Sequence, residues 1–309
     1  MFGFRSRSRL SRSTAALRLG IAALLVLAFS VGLAPAAQAR ASHDNEGHHH
    51  ARYYLALGAS FAFGYQKAKL NAELAAGTYN PASFNTGYVD DFAHRLADDD
   101  SHLQTVNYSC PAETTQSFIN GGCPFHLSGL SLHNDYPTTT SQLSVAVAFL
   151  NSHPHQVRTI TISLTDLAGN ALSALYFGTC QGQTPARPQD LACLVAALPA
   201  FFAQTQAGAD QILTALQAAS PSSQILVLQE FDPLMLALPQ SVAPFQQMNA
   251  ILATVATAHG VVLADGITPF TPANLCTLTA VCTPPLYDIH PTDAGYLVLA
   301  QALWAAYDD

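Results

Sequence analysis

The sequence predicts an α/β protein built on a parallel sheet of five strands, with helices covering both faces. Two observations predict it. Five short runs, Tyr53–Leu57, Thr105–Tyr108, Val157–Leu164, Gln224–Leu228 and Val261–Ala264, are rich in β-branched or large apolar residues. Several are near-continuous, as strands buried on both faces require. Between the runs lie segments with apolar residues at helical spacing, so strand and helix alternate.

The elements follow in chain order. The first strand runs off into Gly58-Ala59-Ser60, a turn of small residues. Val89, Phe92, Ala93 and Leu96 repeat at helical spacing, so Gly87–Asp98 is expected as a helix. Gln142–Leu150 carries a further apolar helical set. The Ala/Leu/Gln-rich segment Gln189–Ala219 is expected as two helices broken near Pro199. Ser241–His259 is expected to stop at Gly260, and Thr292–Tyr307 closes the chain. Leu127–Thr140 and Tyr65–Thr86 are expected as loops above the sheet. With neither a repeat nor a linker inside 52–309, that stretch is read as one domain.

Residues 1–39 read as a secretory signal. Arg5, Arg7, Arg9, Arg12 and Arg18 precede an apolar stretch from Ile21 to Leu33, and Ala37-Gln38-Ala39 supplies a small-x-small cleavage pattern. Cleavage would leave Arg40 first; cleavage after Ala36 is the alternative. An uncleaved membrane anchor is disfavoured, because the apolar run is shorter than the ~20 residues that span a bilayer. Residues 40–51 form a His-rich linker with His43, His48, His49 and His50.

The charge changes with cleavage. The 309-residue chain has 12 basic and 20 acidic residues, a net −8. Removing 1–39 takes five basic residues and no acidic one, leaving 7 − 20 = −13. Such a protein repels nucleic acid and anionic lipid, and a nucleic-acid partner is excluded. No membrane span is expected in the mature protein, which is expected to be a secreted monomer. Disorder is excluded by 50% hydrophobic and only 10% charged residues.

The six cysteines fall into three local couples. An exported protein meets an oxidising compartment, so disulfides are expected. Fifteen pairings are open; the local set, Cys110–Cys123, Cys180–Cys193 and Cys276–Cys282, is preferred because each couple brackets a loop-like stretch. No Cys-x-x-Cys and no His-Glu-x-x-His occurs, so no metal is expected.

In open α/β sheets the site lies at the carboxyl ends of the strands. Four segments stand there. Ser60 follows the first strand. Asn107-Tyr108-Ser109-Cys110-Pro111-Ala112-Glu113-Thr114-Thr115 follows the second. Asp166-Leu167-Ala168-Gly169-Asn170-Ala171-Leu172 follows the third, and Asp288-Ile289-His290-Pro291-Thr292-Asp293-Ala294-Gly295-Tyr296 lies near the C-terminus. Taken singly each has an ordinary role: a capping serine, a capping segment, a turn asparagine, a surface histidine.

Together and in order, the four segments resemble the blocks of the SGNH, or GDSL-type, hydrolases, and the cysteine couples are similar to those of secreted bacterial lipases and esterases of that family. The resemblance covers nearly all of 52–309. It implies a flavodoxin-like three-layer α/β/α sandwich and a serine esterase acting on small-molecule or lipid esters without a cofactor. It implies Ser60 as nucleophile and His290 as general base. The backbone N–H groups of Ser60 and Ala112 and the Asn170 side chain would form the oxyanion hole.

The chain departs from the family pattern at several positions. Ala59 stands for Asp, Ala112 for Gly, Ala168 for Gly, Ala171 for Asp, and Tyr287 for the acid of the triad. Ala112 keeps a backbone donor provided that its φ does not demand glycine. Asp288 lies one position from the triad place, and serves only if the loop shifts. We expect instead a Ser-His dyad with a backbone carbonyl holding His290, so that Asp288→Asn costs less than about tenfold. A non-catalytic binding protein on the same scaffold is the rival reading, motivated by these departures. A metal hydrolase using the His-rich tract or His153-Pro154-His155 is a third. Phe61, Phe63 and Tyr65 are expected as core contacts rather than as an acyl pocket.

Overall fold

The computed structural model describes residues 53–284 and 288–308; the expected signal, the His-rich linker and Tyr287 lie outside the described residues. Five parallel strands form one sheet in the order β2-β1-β3-β4-β5. They are β1 (Tyr53–Leu57), β2 (Gln104–Asn107), β3 (Val157–Ile162), β4 (Gln224–Glu230) and β5 (Val262–Gly266). All five expected strands are present, β1 with the expected bounds and the others with ends shifted by no more than two residues.

The helices are α1 (Ser60–Phe63), α2 (Lys67–Ala76), α3 (Tyr88–Asp99), α4 (Thr115–Asn120), α5 (Pro124–Leu127), α6 (Gln142–Ser152), α7 (Leu164–Ser173), α8 (Pro188–Ala219), α9 (Val242–Ala258), α10 (Leu275–Leu278) and α11 (Asp293–Asp308). Strand side chains alternate between the two faces, which sorts the core into two layers. Leu55, Leu57, Ile160, Ile162, Ile225 and Val227 pack under α6 to α9. Tyr54, Ala56, Leu226 and Leu228 pack under α3 and α11. Thr161, polar on the second face, is satisfied by the Tyr54 hydroxyl at 2.7 Å.

Three elements differ from the sequence expectation. α8 is a single helix of 32 residues that runs through Pro199. Proline removes one helical hydrogen bond, but Leu194, Phe201, Phe202, Ile212, Leu213 and Leu216 bury a continuous face. That packing carries the helix across the break. α8 also has the length and a mean hydropathy of 1.4 that would suffice to cross a membrane, where no such stretch was expected. α2 occupies part of the expected 65–86 loop. The third difference is α7: the segment expected as a turn after β3 is a helix, capped by the Ser163 hydroxyl accepting from the Asp166 N–H.

The three disulfides are Cys110–Cys123, Cys180–Cys193 and Cys276–Cys282, with Cα–Cα distances of 6.2, 5.6 and 5.2 Å. These are the local pairs expected. The first lies in a small aromatic cluster with Phe63, Phe84 and Phe125 beside the end of β1.

The strand order fixes where a site can form. From β1 the chain steps to β2 on one side, then crosses to β3 on the other. The loops leaving β1 and β3 therefore diverge, and open a crevice between them at the carboxyl end of the sheet.

Candidate active site

Ser60 opens α1, directly after the turn that ends β1. The turn is clamped. Gln142 accepts from the Gly58 N–H at 2.8 Å and donates to the Gly58 carbonyl at 3.0 Å. Gly58 has φ +139, and a Cβ there would meet Ala62 and Ser163 at 3.2 Å, so glycine serves both the turn and the close approach. The Ser60 N–H lies in the first turn of a helix, where no intrahelical acceptor exists.

The loop after β2 brings Ala112 and Glu113 alongside. Ala112 has φ +64, the left-handed region. The condition attached to the Ala-for-Gly departure is thus not met: the position does favour glycine, and alanine holds it at a cost. Glu113 is buried, and burial lifts its carboxyl to about 8 despite a hydrogen bond from the Gln142 amide. It is therefore neutral at pH 7.

α7 supplies the third wall, and here a residue to which the sequence reading gave no role stands out. Asp166 is 8% exposed and faces Ser60. The Ser60 hydroxyl donates to its two oxygens at 3.3 and 3.4 Å, and the Phe61 N–H donates to Oδ2 at 2.7 Å. Asn170, one helical turn on, donates through Nδ2 to the Glu113 carbonyl at 3.0 Å and to Asp166 Oδ1 at 3.3 Å. Both amide hydrogens are thereby engaged. Asn170 was expected on a turn and aimed at an oxyanion; it sits on a helix and orients Asp166. Burial lifts the Asp166 carboxyl to about 6, opposed by the Phe61 N–H and the nearby His290. Glu230 at the end of β4 is pushed up further, by its own burial and by Asp166, and accepts the Ser163 hydroxyl at 2.5 Å.

His290 arrives on the loop between α10 and α11. Its ring packs against Tyr65 (centroids 4.5 Å apart) and edge-on to Phe61 (5.7 Å). Nδ1 meets Asp288 Oδ1 at 2.5 Å. The Lys67 N–H donates to Asp288 Oδ2 at 2.7 Å. Burial pushes Asp288 up, but the His290 contact and these N–H donors more than offset it and hold the carboxylate below its ordinary value. The expected backbone carbonyl on His290 is thus replaced by Asp288: with only one residue between them, the loop curls the carboxylate back onto the ring. Among the described residues, Ser60 Oγ bonds Asp166 and not His290. The Ser60 side and the His290 side of the site meet through Phe61, whose ring lies edge-on to His290.

An apolar cleft, open at its mouth, leads away from Asp166 and Asn170. Phe61, Leu172, Tyr176, Leu234 and Phe245 line it, with Phe177 at 44% exposure on its edge. Phe61 is both buried in the core and part of this wall; Phe63 is core alone. No group of three or more metal-ligating side chains occurs among the described residues.

A serine at a strand end, a carboxylate-bound histidine on a facing loop and an apolar cleft together define a hydrolase acting on esters. A model of the GDSL-like lipase/acylhydrolase family matches residues 56–298, and the chain belongs to that family. Solved structures agree on the fold. An extracellular lipase from Streptomyces rimosus is 20% identical, with a TM-score of 0.54 over 83% of this chain and 100% of that one. A phospholipase A1 from Streptomyces albidoflavus is 17% identical, with a TM-score of 0.51 over 83% and 99%. No curated protein matches the chain.

Proposed function

We propose that this chain is an exported serine esterase that cleaves carboxylic esters through an acyl-enzyme on Ser60. The observation that carries the reading is the 2.5 Å contact of His290 Nδ1 with Asp288, on a loop facing the Ser60 turn. A serine hydroxyl is a poor nucleophile near neutral pH and needs an adjacent base. An imidazole oriented by a carboxylate through Nδ1 is such a base, and the carboxylate stabilises the imidazolium that forms. His290 takes the Ser60 proton as Oγ bonds the ester carbon, then passes it to the departing alkoxide. Water repeats the sequence on the acyl-enzyme. The N–H groups of Ser60 and Ala112 are the backbone donors to the oxyanion. The cleft beside Asp166 suits an acyl chain by its apolar lining.

Export is supported by the leader-like residues 1–39 and is compatible with three disulfides. Arg40 at the N-terminus of the mature protein is the expected sequencing result.

The test is hydrolysis of a chain-length series of p-nitrophenyl esters by wild type and Ser60→Ala, with fluorophosphonate labelling of the folded protein. The expected result is labelling at Ser60 and a loss of ~10⁴ or more in kcat on substitution. Equal rates for the two proteins would end the reading. Absence of both labelling and turnover in folded wild type would favour a binding protein on this scaffold, the reading that the Ser60–Asp166 contact and the motif departures motivate.

A further inference from the structure

The place beside Ser60 Oγ where a carbonyl oxygen must develop charge is bordered by a carboxyl group. Asp166 touches the hydroxyl with both oxygens, is nearly closed to solvent, and is held there by Phe61 N–H and Asn170 Nδ2. Asn170 cannot itself serve the oxyanion without releasing Asp166 or the Glu113 carbonyl, since both hydrogens of its amide are engaged. An ionised Asp166 would repel the oxyanion at close range in a water-poor crevice. A protonated Asp166 would do the reverse, and donate to it.

We propose that Asp166 is a further catalytic residue of this esterase: in its protonated form it supplies the third hydrogen bond to the oxyanion, alongside the N–H groups of Ser60 and Ala112. The inference rests on the serine-esterase reading above. As Oγ bonds the ester carbon, the C=O π pair moves onto oxygen, the Ser60 proton passes to His290, and the Asp166 O–H donates to the new oxyanion without transferring its proton. The π bond re-forms as the leaving alkoxide departs with the proton from His290. A carboxylic acid in its protonated form can act as an oxyanion donor in this way, and burial lifts Asp166 to about 6, which populates that form on the acid side of neutrality.

The active state then carries its proton on Asp166, and loss of that proton leaves a carboxylate that repels the oxyanion. The profile of kcat/KM against pH has an alkaline limb that belongs to Asp166. Other titratable groups face Asp166: Glu230 from β4, Tyr88 from α3, Tyr296 from α11, and Asp288 through His290. Burial pushes Glu230 and both tyrosines upward, so substitution must identify the owner of the limb.

The experiment compares wild type with Asp166→Asn, Asp166→Ala and Glu230→Gln from pH 5 to pH 9, folding being checked by circular dichroism. Wild type is expected to lose about tenfold per pH unit on the alkaline side. Asp166→Asn carries a permanent donor, so the limb disappears and the variant exceeds wild type about tenfold or more at pH 8. Asp166→Ala loses about 10²–10³ at the wild-type optimum, as removal of an oxyanion donor does. Glu230→Gln keeps the limb. The proposal is overturned if folded Asp166→Asn retains the limb, or falls about a hundredfold at every pH, which would make Asp166 a base. Should the variants not fold, the fluorophosphonate labelling rate of wild type decides: a fall above pH 7 agrees, and a steady rise through pH 9 overturns. Full activity of Ser60→Ala would instead end the underlying reading, whatever Asp166 does.

Discussion

The site has two halves built on different principles. Ser60, Ala112 and Asp166 leave three adjacent strands, β1, β2 and β3, and hydrogen bonds lock them to one another: Gln142 to Gly58 and Phe61 N–H to Asp166, both buried, and Asn170 to both Asp166 and Glu113, part-buried. Asp288 and His290 belong to no strand. They hang on a loop tied down from outside: by the Lys67 N–H on Asp288, the Ala280 N–H on the His290 carbonyl at 3.0 Å, the bridge between Thr279 and Pro291, and the Cys276–Cys282 disulfide beneath. The sheet places a side chain by where a strand ends. The loop places one only through several distant contacts holding at once. The loop half is therefore the more easily displaced, and its perturbation should reach catalysis before it reaches the fold.

The largest effect is expected where the loop half does its chemistry. Asp288→Asn keeps the shape of the loop and loses the charge that fixes the His290 tautomer, so kcat should fall by ~10⁴ with little change in melting temperature. Steady-state kinetics with a short acyl ester measures it. A loss under about tenfold would mean that the backbone holds His290 after all, and that the two halves differ less than their contacts suggest.

The same contrast explains what was legible in the sequence. All five strands announced themselves through short runs of β-branched or large apolar residues, because burial on both faces leaves its mark residue by residue. Ser60 followed directly from the end of β1. Asp166 did not, although its signal was present: Ser163-x-x-Asp166 is a helix-start pattern, and Asp166 and Asn170 stand four apart, on one face of the helix it opens. Reading 166–172 as a turn hid that spacing. The Asp288–His290 contact was harder still, since two residues separated by one have no fixed geometry until a loop is folded. α8 shows the limit of local rules: Pro199 reads as a break, and only the apolar face buried on both sides of it tells otherwise.

A middle-sized effect tests the tether. Cys276→Ser/Cys282→Ser removes a staple that closes a short loop, worth about 2 kcal/mol in the chain-entropy model. For a domain of this size that is a drop of roughly 4–8 °C in melting temperature. The Ala280 N–H, inside the stapled loop, holds the His290 carbonyl; kcat/KM should therefore fall about tenfold below the temperature of melting, since a small misplacement of a catalytic group is costly. The matching loss of Cys180–Cys193, which ties the segment after α7 to α8, should lower stability and leave the His290 loop in place. Equal activity losses for the two would erase the distinction between the halves.

The smallest effect is expected on the sheet half, at Ala112. Its φ of +64 places a Cβ where the left-handed backbone crowds it, at a cost of roughly 1–2 kcal/mol for a residue other than glycine. Glycine relieves that strain but gives back up to about 1 kcal/mol by loosening the unfolded chain. Ala112→Gly should therefore gain no more than about 1 kcal/mol, a rise of roughly 2–4 °C read by thermal denaturation. Activity should hold or rise slightly, because the backbone N–H stays where the buried network puts it and only the methyl group goes. A clear loss of activity would show that the methyl itself packs the oxyanion site. The alanine would then belong to the chemistry of this chain, as a feature fitted to the carboxyl group beside Ser60, rather than a tolerated departure from the family pattern.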